Sequence, residues 1–441
     1  MNSTTNHSNI DTHSVMYITK RPELVFVEGQ GSWLTDHQGK KYLDFLQGWA
    51  VNCLGHSNPG MIEALNQQAK KVINPSPAFY NEPMIELANL LTANSCFNKV
   101  FFANSGAEAN EGAIKLARKW GKLHKNHAYE IITFNHGFHG RTLATMSASG
   151  KEGWDTMFAP QVPGFPKAEL NDLESVKKLV NEKTVAVMLE PVQGEGGVIP
   201  ADHDFMRDLR AYTQANNILL IVDEVQAGCG RTGKLFAHQL YNIHPDIMTL
   251  GKGIGGGVPL AALLATDEVA CFEPGDQGGT YNGNPLMTAV GCSVISQLLA
   301  PGFLDEVLAK GQYLRELLLQ LSDELGLDGE RGEGLLRALK LNRDIGPEIV
   351  ERARQLEPVG LLLNSPRPNL LRFMPALNIS REELKQMVDM LRGVIKSISI
   401  DFVSMHTVYR PFGKGKAVFS TMPSKVLTLL GPNSLILSMM A

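Results

Sequence analysis

Six short apolar runs, separated by stretches with helical periodicity, are the feature that most restricts the fold of this chain. None of them shows the polar–apolar alternation of a half-exposed strand. Strands that are buried on both faces and joined by helices predict a mainly parallel sheet in an α/β domain. Because ligands of such sheets bind beyond the carboxyl ends of the strands, polar residues that directly follow the runs are candidate site residues. The runs occupy residues 99–103, 130–134, 185–189, 218–222, 247–250 and 260–265.

The two ends of the chain have a different character. Short apolar stretches alternate with glycine-containing turns over residues 24–46, which predicts a β-meander. After about residue 300 helical and strand patterns alternate, which predicts an α+β lobe. Ser380 and Glu383 form the pattern of a capping box, so a last helix is predicted to begin there and to end near Lys396. The other helices of this lobe are predicted at 303–325 and 347–357, and its strands at 335–341, 359–363 and 369–373.

A chain of 441 residues is too long for one simple core, so more than one domain is expected. The patterns predict a large α/β domain at residues 56–300. They predict a smaller α+β domain that combines residues 1–55 and 301–397. Residues 398–441 form a tail with one acid, Asp401, and no clear periodicity, and we assign it no function.

Composition excludes several classes of function. The net charge is −4 and the pI is about 6.3, with no dense block of Lys or Arg, so nucleic acid is not an expected partner. No apolar run approaches the length of a membrane span, and the polar N-terminus does not resemble a secretory signal. The five cysteines are scattered without a CxxC pair, which favours reduced thiols in a cytoplasmic protein. We therefore expect small molecules and other protein chains as partners.

The segment NSGAEANEGAIKLARKW follows the first apolar run and predicts a helix that begins near Ala107. Ser105, Gly106 and Ala107 would lie at its N-terminus, where free N–H groups and the helix dipole favour a phosphate. An ordinary N-cap serine followed by a turn glycine is the alternative interpretation.

Two further polar clusters follow the next runs. In HGFHGRT, Phe138 can stack on a planar ring and Arg141 can hold a carboxylate, although a solvated surface loop is the alternative. His136 and His139 in this segment have no third ligand nearby in the sequence, so no metal site is expected. In EPVQGEGGV, the pair Glu190 and Glu195 weakly suggests a glycosidase, and Glu195 alternatively neutralises an arginine. The loop is too rich in Gly and Pro to be a helix.

The segments ILLIVDEVQAGCGRTG and TLGKGIGGGVP each place a charged side chain at the end of a buried run. Asp223 needs a cationic partner there, because an unpaired buried carboxylate is unfavourable, and a protonated pyridine nitrogen is such a partner. Lys252 supplies an amine that can form a Schiff base, although a solvated loop lysine is the alternative. The pair is the minimal arrangement for pyridoxal phosphate. A P-loop is excluded because Gly253 stands where Ser or Thr must follow the lysine.

With these clusters in this order, the chain resembles the class-III (ornithine-type) pyridoxal-phosphate aminotransferases from about residue 20 to about residue 396. The resemblance implies a fold-type I transferase with pyridoxal 5'-phosphate as cofactor, and it is strongest with bacterial members that act on N2-acetylornithine. The motifs that carry it are FFANSGAEANEGAIKLAR, FHGRT, LEPVQGEGG, VDEVQAGCGRTG, TLGKGIGGG, GGTYNGNPL and NLLRFMPAL.

The family's cofactor contacts can be carried over residue by residue. Lys252 is similar to the Schiff-base lysine and Asp223 to the partner of the pyridinium nitrogen. Phe138 and Val225 resemble the residues that sandwich the ring, with Gln226 near its phenolic oxygen. The resemblance therefore implies the cofactor-binding set Ser105, Gly106, Ala107, Phe138, Asp223, Glu224, Val225, Gln226, Lys252 and Thr280.

Thr280 resembles the residue that reaches the phosphate from the other subunit, which implies a homodimer. Gly279, directly before it, departs from the hydroxyl residue often found there, and only its backbone can contact substrate. Arg141 resembles the anchor for the substrate carboxylate far from the reacting amine, and Arg372 the arginine for a carboxylate beside the reacting carbon. Glu195 resembles a gate that pairs with Arg372 when that carboxylate is absent.

The implied reaction transfers an amino group between N2-acetylornithine and 2-oxoglutarate, giving N-acetylglutamate 5-semialdehyde and glutamate, as in arginine biosynthesis. Ornithine or 4-aminobutyrate aminotransferase is the alternative within the family, and a succinyl-diaminopimelate side activity is compatible with it. A protein that binds the cofactor without turnover is disfavoured, because binding alone requires no second-substrate gate. A nicotinamide dehydrogenase is disfavoured because no GxGxxG opens the first βα unit.

Overall fold

The computed structural model describes residues 12–408, and side chains as far as residue 398. Strands β1 to β17 occupy, in order, Phe26–Gln30, Trp33–Asp36, Lys41–Asp44, Lys99–Ala103, Glu130–Phe134, Lys167–Ala168, Thr184–Leu189, Val192–Gln193, Ile199–Pro200, Leu219–Asp223, Ile247–Leu250, Ala261–Ala265, Glu330–Glu333, Leu336–Lys340, Val359–Leu362, Asn364–Arg367 and Leu370–Phe373. Helices α1 to α12 occupy Gln47–Ala50, Pro59–Ala69, Glu82–Ala93, Gly106–His124, Leu143–Ala148, Trp154–Met157, Leu173–Leu179, His203–Ala215, Pro285–Leu298, Phe303–Leu325, Gly346–Arg354 and Arg381–Val408. Short 3-10 helices occupy Ala237–Tyr241 and Lys252–Ile254.

The six apolar runs form six adjacent strands of a seven-stranded sheet with the order β4-β12-β11-β10-β7-β5-β6, in which β4 lies at one edge. Strands β11, β10, β7, β5 and β6 pair in parallel, whereas β12 is antiparallel to both of its neighbours. Every residue of β7, β10, β11 and β12 is buried, which explains why these runs lack polar alternation. The predicted α/β class with a mainly parallel sheet is confirmed.

Helix α4 shows how local sequence positions the site. The Ser105 hydroxyl accepts a hydrogen bond from the Glu108 N–H at 3.3 Å, which caps the helix where β4 ends. Its apolar face contributes Ala113, Leu116, Ala117 and Trp120 to the core beneath the sheet. Gly121 permits the close approach, because a Cβ there would lie 2.0 Å from the Ala128 carbonyl oxygen. The helix N-terminus is thereby held at the carboxyl edge of the sheet.

Residues from both ends of the chain share one sheet. The predicted meander forms strands β1 to β3, and β15 pairs in parallel with β3. A separate four-stranded sheet, with the order β13-β14-β17-β16, carries Arg372 on β17. Residues 12–396 belong to one compact unit, and its division into the domains 56–300 and 1–55 with 301–397 stays a prediction.

Helix α12 begins with the predicted capping box. The Ser380 N–H donates to Glu383 Oε2 at 3.0 Å, and the Glu383 N–H donates to Ser380 Oγ at 3.1 Å. The predicted end near Lys396 is wrong, because the helix continues through Val408. No glycine or proline interrupts residues 394–408, so nothing in the backbone chemistry ends it earlier. Of the tail predicted at 398–441, residues 409–441 lie outside the described part of the chain.

Within residues 12–408, no single helix is long and apolar enough to cross a membrane. The bent pair Pro285–Leu298 and Phe303–Leu325 meets the requirement only when both helices are counted together, by length and composition alone.

Candidate active site

A cavity of about 260 Å³ lies where the central strands end. It brings together side chains from the segments that follow β4, β5, β7, β10 and β11. These segments are far apart in the sequence, and only the parallel arrangement of their strands makes them neighbours. The lining residues are Gly106, Ala107, Asn110, Phe138, His139, Gly140, Arg141, Glu190, Glu195, Asp223, Val225, Gln226 and Lys252.

Asp223 is buried at the end of β10, and its carboxylate is fixed by three donors. Oδ2 accepts hydrogen bonds from Asn110 Nδ2 and His139 Nδ1, both at 2.8 Å, and Oδ1 accepts one from the Val225 N–H at 3.0 Å. Thr249 Oγ1 in turn donates to Asn110 Oδ1 at 2.6 Å. The charge of Asp223 is therefore both stabilised and oriented inside the protein.

Lys252 opens the 3-10 turn that follows β11, with a backbone φ of 45°. Burial lowers the pKa of its ammonium group, and the positive charge of Arg372 lowers it further, against the charges of Glu195, Asp223 and Glu190. A lowered pKa increases the fraction of neutral amine, which is the nucleophilic form. The surroundings of Lys252 thus suit an amine that attacks a carbonyl carbon.

The N-terminus of α4 forms one wall of the cavity. Gly106 has no tolerance for a side chain, because a Cβ there would lie 2.7 Å from Val225 Cγ1. Gly106 and Ala107 line the cavity, where the first N–H groups of a 19-residue helix favour an anion. Ser105 is exposed instead, and its hydroxyl caps the helix. For the side chain of Ser105, the structure thus agrees with the alternative interpretation, in which this serine is an ordinary N-cap.

Glu190 connects two loops of the cavity. Its Oε1 accepts a hydrogen bond from the Phe138 N–H at 2.8 Å, and Oε2 accepts a longer one from the Gly194 N–H at 3.4 Å. Burial and the nearby charge of Asp223 raise the pKa of Glu190 to about 8. Glu190 therefore anchors the backbone of Phe138 and of the loop that carries Glu195.

Arg372 is buried and fully engaged. Its Nε donates to Asn364 Oδ1 at 2.9 Å, its Nη1 to Gln226 Oε1 at 3.3 Å, and its Nη2 to Glu195 Oε1 at 2.8 Å. Burial alone would raise the pKa of Glu195, but the charge of Arg372 and its hydrogen bond outweigh burial and lower it. Arg141 is exposed, and within the described part of the chain it forms no ion pair.

Several predicted site residues do not line this cavity. The Glu224 carboxylate accepts hydrogen bonds from the His238 N–H at 2.7 Å, from His238 Nδ1 at 2.9 Å and from the Ala237 N–H. It therefore fixes the start of the 3-10 helix at Ala237–Tyr241. Gly279 and Thr280 are exposed in the loop before α9 and belong to no wall of the cavity in this chain.

The two histidines of HGFHGRT diverge. His139 binds Asp223 inside the protein, whereas His136 is exposed and accepts a hydrogen bond from Arg367 Nη2 at 3.1 Å. In residues 12–408, no group of three or more His, Cys, Asp or Glu side chains is arranged to hold a metal ion.

Sequence reasoning missed Asn110 and Thr249, and it considered His139 only as half of a metal motif. Asn110 lies one turn inside α4. Helical periodicity places it on the buried face of the helix but does not show which strand end it faces. A polar residue on the apolar face of a predicted helix was the available signal.

The donor set fits pyridoxal 5'-phosphate. The helix N-terminus at Gly106 and Ala107 would hold the phosphate, and Asp223 would hold the protonated ring nitrogen. Val225 and Phe138 would contact the ring, and Lys252 would hold the aldehyde carbon. A side chain at position 106 would collide with Val225, so only glycine allows the start of the helix to lie this close to the predicted ring contact.

Comparison with known proteins agrees with this geometry. The family model for aminotransferase class-III matches residues 17–395. The acetylornithine aminotransferase of Ralstonia nicotianae is 74% identical over 388 residues, which cover 87% of this chain and 97% of that protein.

Two solved structures are also similar. The N-acetylornithine aminotransferase of Stenotrophomonas maltophilia K279a has a TM-score of 0.75 at 35% identity, covering 86% of this chain and 98% of that one. The ornithine aminotransferase of Toxoplasma gondii, which has partial occupancy of PLP at its active site, has a TM-score of 0.82 at 30% identity. That match covers 87% of this chain and 93% of the other. The chain belongs to the class-III aminotransferases.

Proposed function

We propose that this aminotransferase transfers an amino group between N2-acetylornithine and 2-oxoglutarate, in arginine biosynthesis. The observation that carries the proposal is a contrast between two arginines. Arg372 is buried and paired with the lining residue Glu195, whereas Arg141 lines the cavity and has no ion-pair partner among the described residues. The similarity to acetylornithine aminotransferases at up to 74% identity supports the same substrate.

Class-III aminotransferases use pyridoxal 5'-phosphate. When bound, the cofactor supplies an aldehyde that takes up the amino group and a ring that accepts an electron pair. Asp223 keeps the ring nitrogen protonated, because its carboxylate is itself held in place by Asn110 and His139. The Lys252 amine would take up and return the proton of the substrate carbon, since its lowered pKa favours the neutral form that can accept a proton.

The two arginines explain how one cavity accepts two amines. Glutamate has one carboxylate beside the reacting carbon and a second one far from it, whereas acetylornithine has only the far one. Arg141 binds the far carboxylate of either substrate. Arg372 binds the near carboxylate of glutamate after Glu195 moves aside, and with acetylornithine it keeps Glu195 as its partner. An unpaired buried guanidinium is thereby avoided in both halves of the reaction.

We also propose a homodimer in the cytoplasm. The aromatic residues Phe79, Tyr80 and Tyr281 are exposed close to the predicted inter-subunit residue Thr280. Asn74 Nδ2 donates to the Thr280 carbonyl at 3.3 Å, so the two loops that carry these rings are connected. A second copy that covers this apolar surface would bring Thr280 to the partner's cofactor phosphate. Sedimentation of the purified enzyme as a monomer would contradict this part of the proposal.

The substrate assignment is tested with purified enzyme and separate amines. The cofactor absorbance should be bleached by glutamate and by acetylornithine, and kcat/KM should be higher for acetylornithine than for ornithine, 4-aminobutyrate or succinyl-diaminopimelate. A preference for ornithine would assign the chain to the ornithine branch, whose Toxoplasma structure matches at a TM-score of 0.82. A cofactor absorbance that neither glutamate nor acetylornithine bleaches would indicate a protein that binds the cofactor without turnover.

The role of Lys252 is tested by Lys252→Ala, which should abolish turnover while the protein still folds and binds the cofactor without a covalent bond. Lys234→Ala is the matched control, because Lys234 is an exposed lysine in the neighbouring glycine-rich loop. Near-normal turnover in Lys252→Ala would remove Lys252 from the mechanism.

A further inference from the structure

The loop of residues 151–160 sends one side chain into the protein. Trp154 is 6% exposed, while every other residue of this loop is exposed. The short helix α6 begins at Trp154 directly after Gly153, whose φ of 77° turns the chain inward. Because the rest of the segment is exposed, we infer that the indole of Trp154 is held in place by the side chains that it contacts and not by packing of the loop.

Those contacts are the residues predicted to bind the ring and the far carboxylate. The Trp154 ring centroid lies 5.7 Å from that of Phe138, with an interplanar angle of 59°. The guanidinium carbon of Arg141 lies 5.6 Å from the indole centroid, and Lys151 Nζ lies 5.1 Å from it. A cation at this distance from an indole is attracted by the negative face of the ring.

Arg141 depends on this contact. Among the side-chain interactions described for residues 12–398, the indole is the one that holds its guanidinium group. A long exposed side chain without a fixed partner loses conformational freedom when it binds a carboxylate. A ring that already orients the guanidinium reduces that loss.

We propose that Trp154 is a positioning residue that holds Arg141 ready for the carboxylate remote from the reacting amine. The inference rests on the proposed role of Arg141 as the anchor for that carboxylate. Loss of the indole should weaken recognition of each substrate that carries the far carboxylate, by roughly 3- to 30-fold in kcat/KM. Amines that lack this carboxylate should be unaffected.

The test uses the cofactor-loaded enzyme with Trp154→Ala, Arg141→Ala and the double variant, and with Trp120→Phe as control, because Trp120 lies in the core beneath the sheet. Rates are measured with acetylornithine and with pentylamine, which has no carboxylate. Affinity is measured by calorimetry for N2-acetylnorvaline, which keeps the far carboxylate and lacks the reacting amine, with and without cofactor.

The proposal expects Trp154→Ala to weaken acetylnorvaline binding and acetylornithine turnover, to leave pentylamine turnover within about twofold, and to add nothing in the Arg141→Ala background. Equal losses with pentylamine, or a full further loss in the double variant, would overturn it. If Trp154→Ala does not fold, Trp154→Phe and Trp154→Leu decide the question. If acetylornithine turnover is retained in Trp154→Phe but lost in Trp154→Leu, the ring contact is supported. Equal losses of turnover in both variants would overturn the proposal. If Arg141→Ala leaves acetylnorvaline binding unchanged, the proposed function of Arg141 fails instead.

Discussion

Arg372 and Arg141 belong to the same candidate site but have opposite kinds of surroundings. Arg141 lines the cavity, whereas Arg372 lies behind its wall and binds the lining residues Glu195 and Gln226. Arg372 lies on a strand, is 1% exposed, and has an acceptor for each of its three nitrogens. Arg141 lies in a loop before α5, is exposed, and rests on the ring of Trp154. A buried guanidinium must have a counter-charge before substrate arrives, whereas an exposed one can remain solvated until it binds.

The difference teaches how selectivity can be divided. Arg372 can bind a new carboxylate only by exchanging one partner for another, so its contribution depends on which amine is present. Arg141 exchanges only water, so it should contribute alike to every substrate with a far carboxylate. Substitutions at four residues test this contrast.

Arg372→Ala should have the largest effect of these substitutions, and mainly on one half of the reaction. The glutamate half should lose roughly 30- to 1000-fold in kcat/KM, because a charge-assisted bidentate contact beside the reacting carbon is lost. Acetylornithine offers no such carboxylate and should lose far less. Single-turnover bleaching of the cofactor absorbance with each amine measures the halves separately. Equal slowing of both halves would mean that Arg372 is only structural.

Arg141→Ala should reduce both halves, by about 10- to 100-fold in kcat/KM, because each substrate presents a far carboxylate. Arg141→Lys, which keeps the charge but not the planar fork, should recover part of the loss. The same single-turnover assay applies. A loss confined to the glutamate half would show that Arg141 and Arg372 act on the same substrate, and it would contradict the proposed difference between them.

Glu195→Gln should have a smaller effect, mainly on acetylornithine. Arg372 then lacks a counter-charge whenever that substrate is bound, and we expect a loss of about 3- to 30-fold in its half-reaction. The glutamate half should be unchanged or faster, because no carboxylate must first be displaced. A larger loss with glutamate than with acetylornithine would contradict the gate.

The smallest predicted effect concerns two carboxylates, Glu190 and Glu195. Glu195 has an arginine partner and Glu190 has none among the described residues, so they extend the contrast between the two arginines. The pKa of Glu190 is raised to about 8, so its contribution to stability is present below pH 4.5 and lost as the pH rises through 8. Glu190→Gln removes this ionisable group from the cofactor-free protein. The difference in Tm between the variant and the unmodified chain should therefore be about 2–4 °C more positive at pH 9 than at pH 5. Calorimetric scans at both pH values measure this difference.

Glu195 provides the control with the opposite sign. Its pKa is lowered by Arg372, so it stabilises the fold above pH 4.5 and loses that contribution as the pH falls through the lowered pKa. Glu195→Gln should lower Tm at pH 7 and have less effect at low pH. A parallel pH response of the two variants would show that neither carboxylate has the environment described here.

Much of the fold could be predicted because the central strands are buried on both faces. The runs at 99–103, 130–134 and 247–250 coincide with β4, β5 and β11, and the helix at 303–325 coincides with α10. The antiparallel direction of β12 could not be read from its sequence, since a buried run has the same pattern in either direction. The predicted end of α12 failed because it relied on family length and not on a helix-breaking residue.

The candidate site divides in the same way. Asp223 and Lys252 follow buried strands, so their meeting at one edge was predictable from topology. The partners that orient such groups were not, because Asn110, His139 and Trp154 act through contacts between segments distant in the sequence. The cofactor-binding role that the resemblance implies for Glu224 stays a prediction, because its carboxylate binds the turn at His238.

The backbone of Lys252 has a consequence for the evolution of stability. Its φ of 45° is a left-handed conformation that costs a residue with a side chain roughly 1–3 kcal/mol, and glycine almost nothing. Glycines already occupy positions 251, 253 and 255–257. A chain selected only for thermal endurance would place glycine at 252 as well, so laboratory selection on the cofactor-free protein should drift toward that inactive sequence. The lysine at position 252 therefore serves the proposed chemistry at the expense of backbone stability.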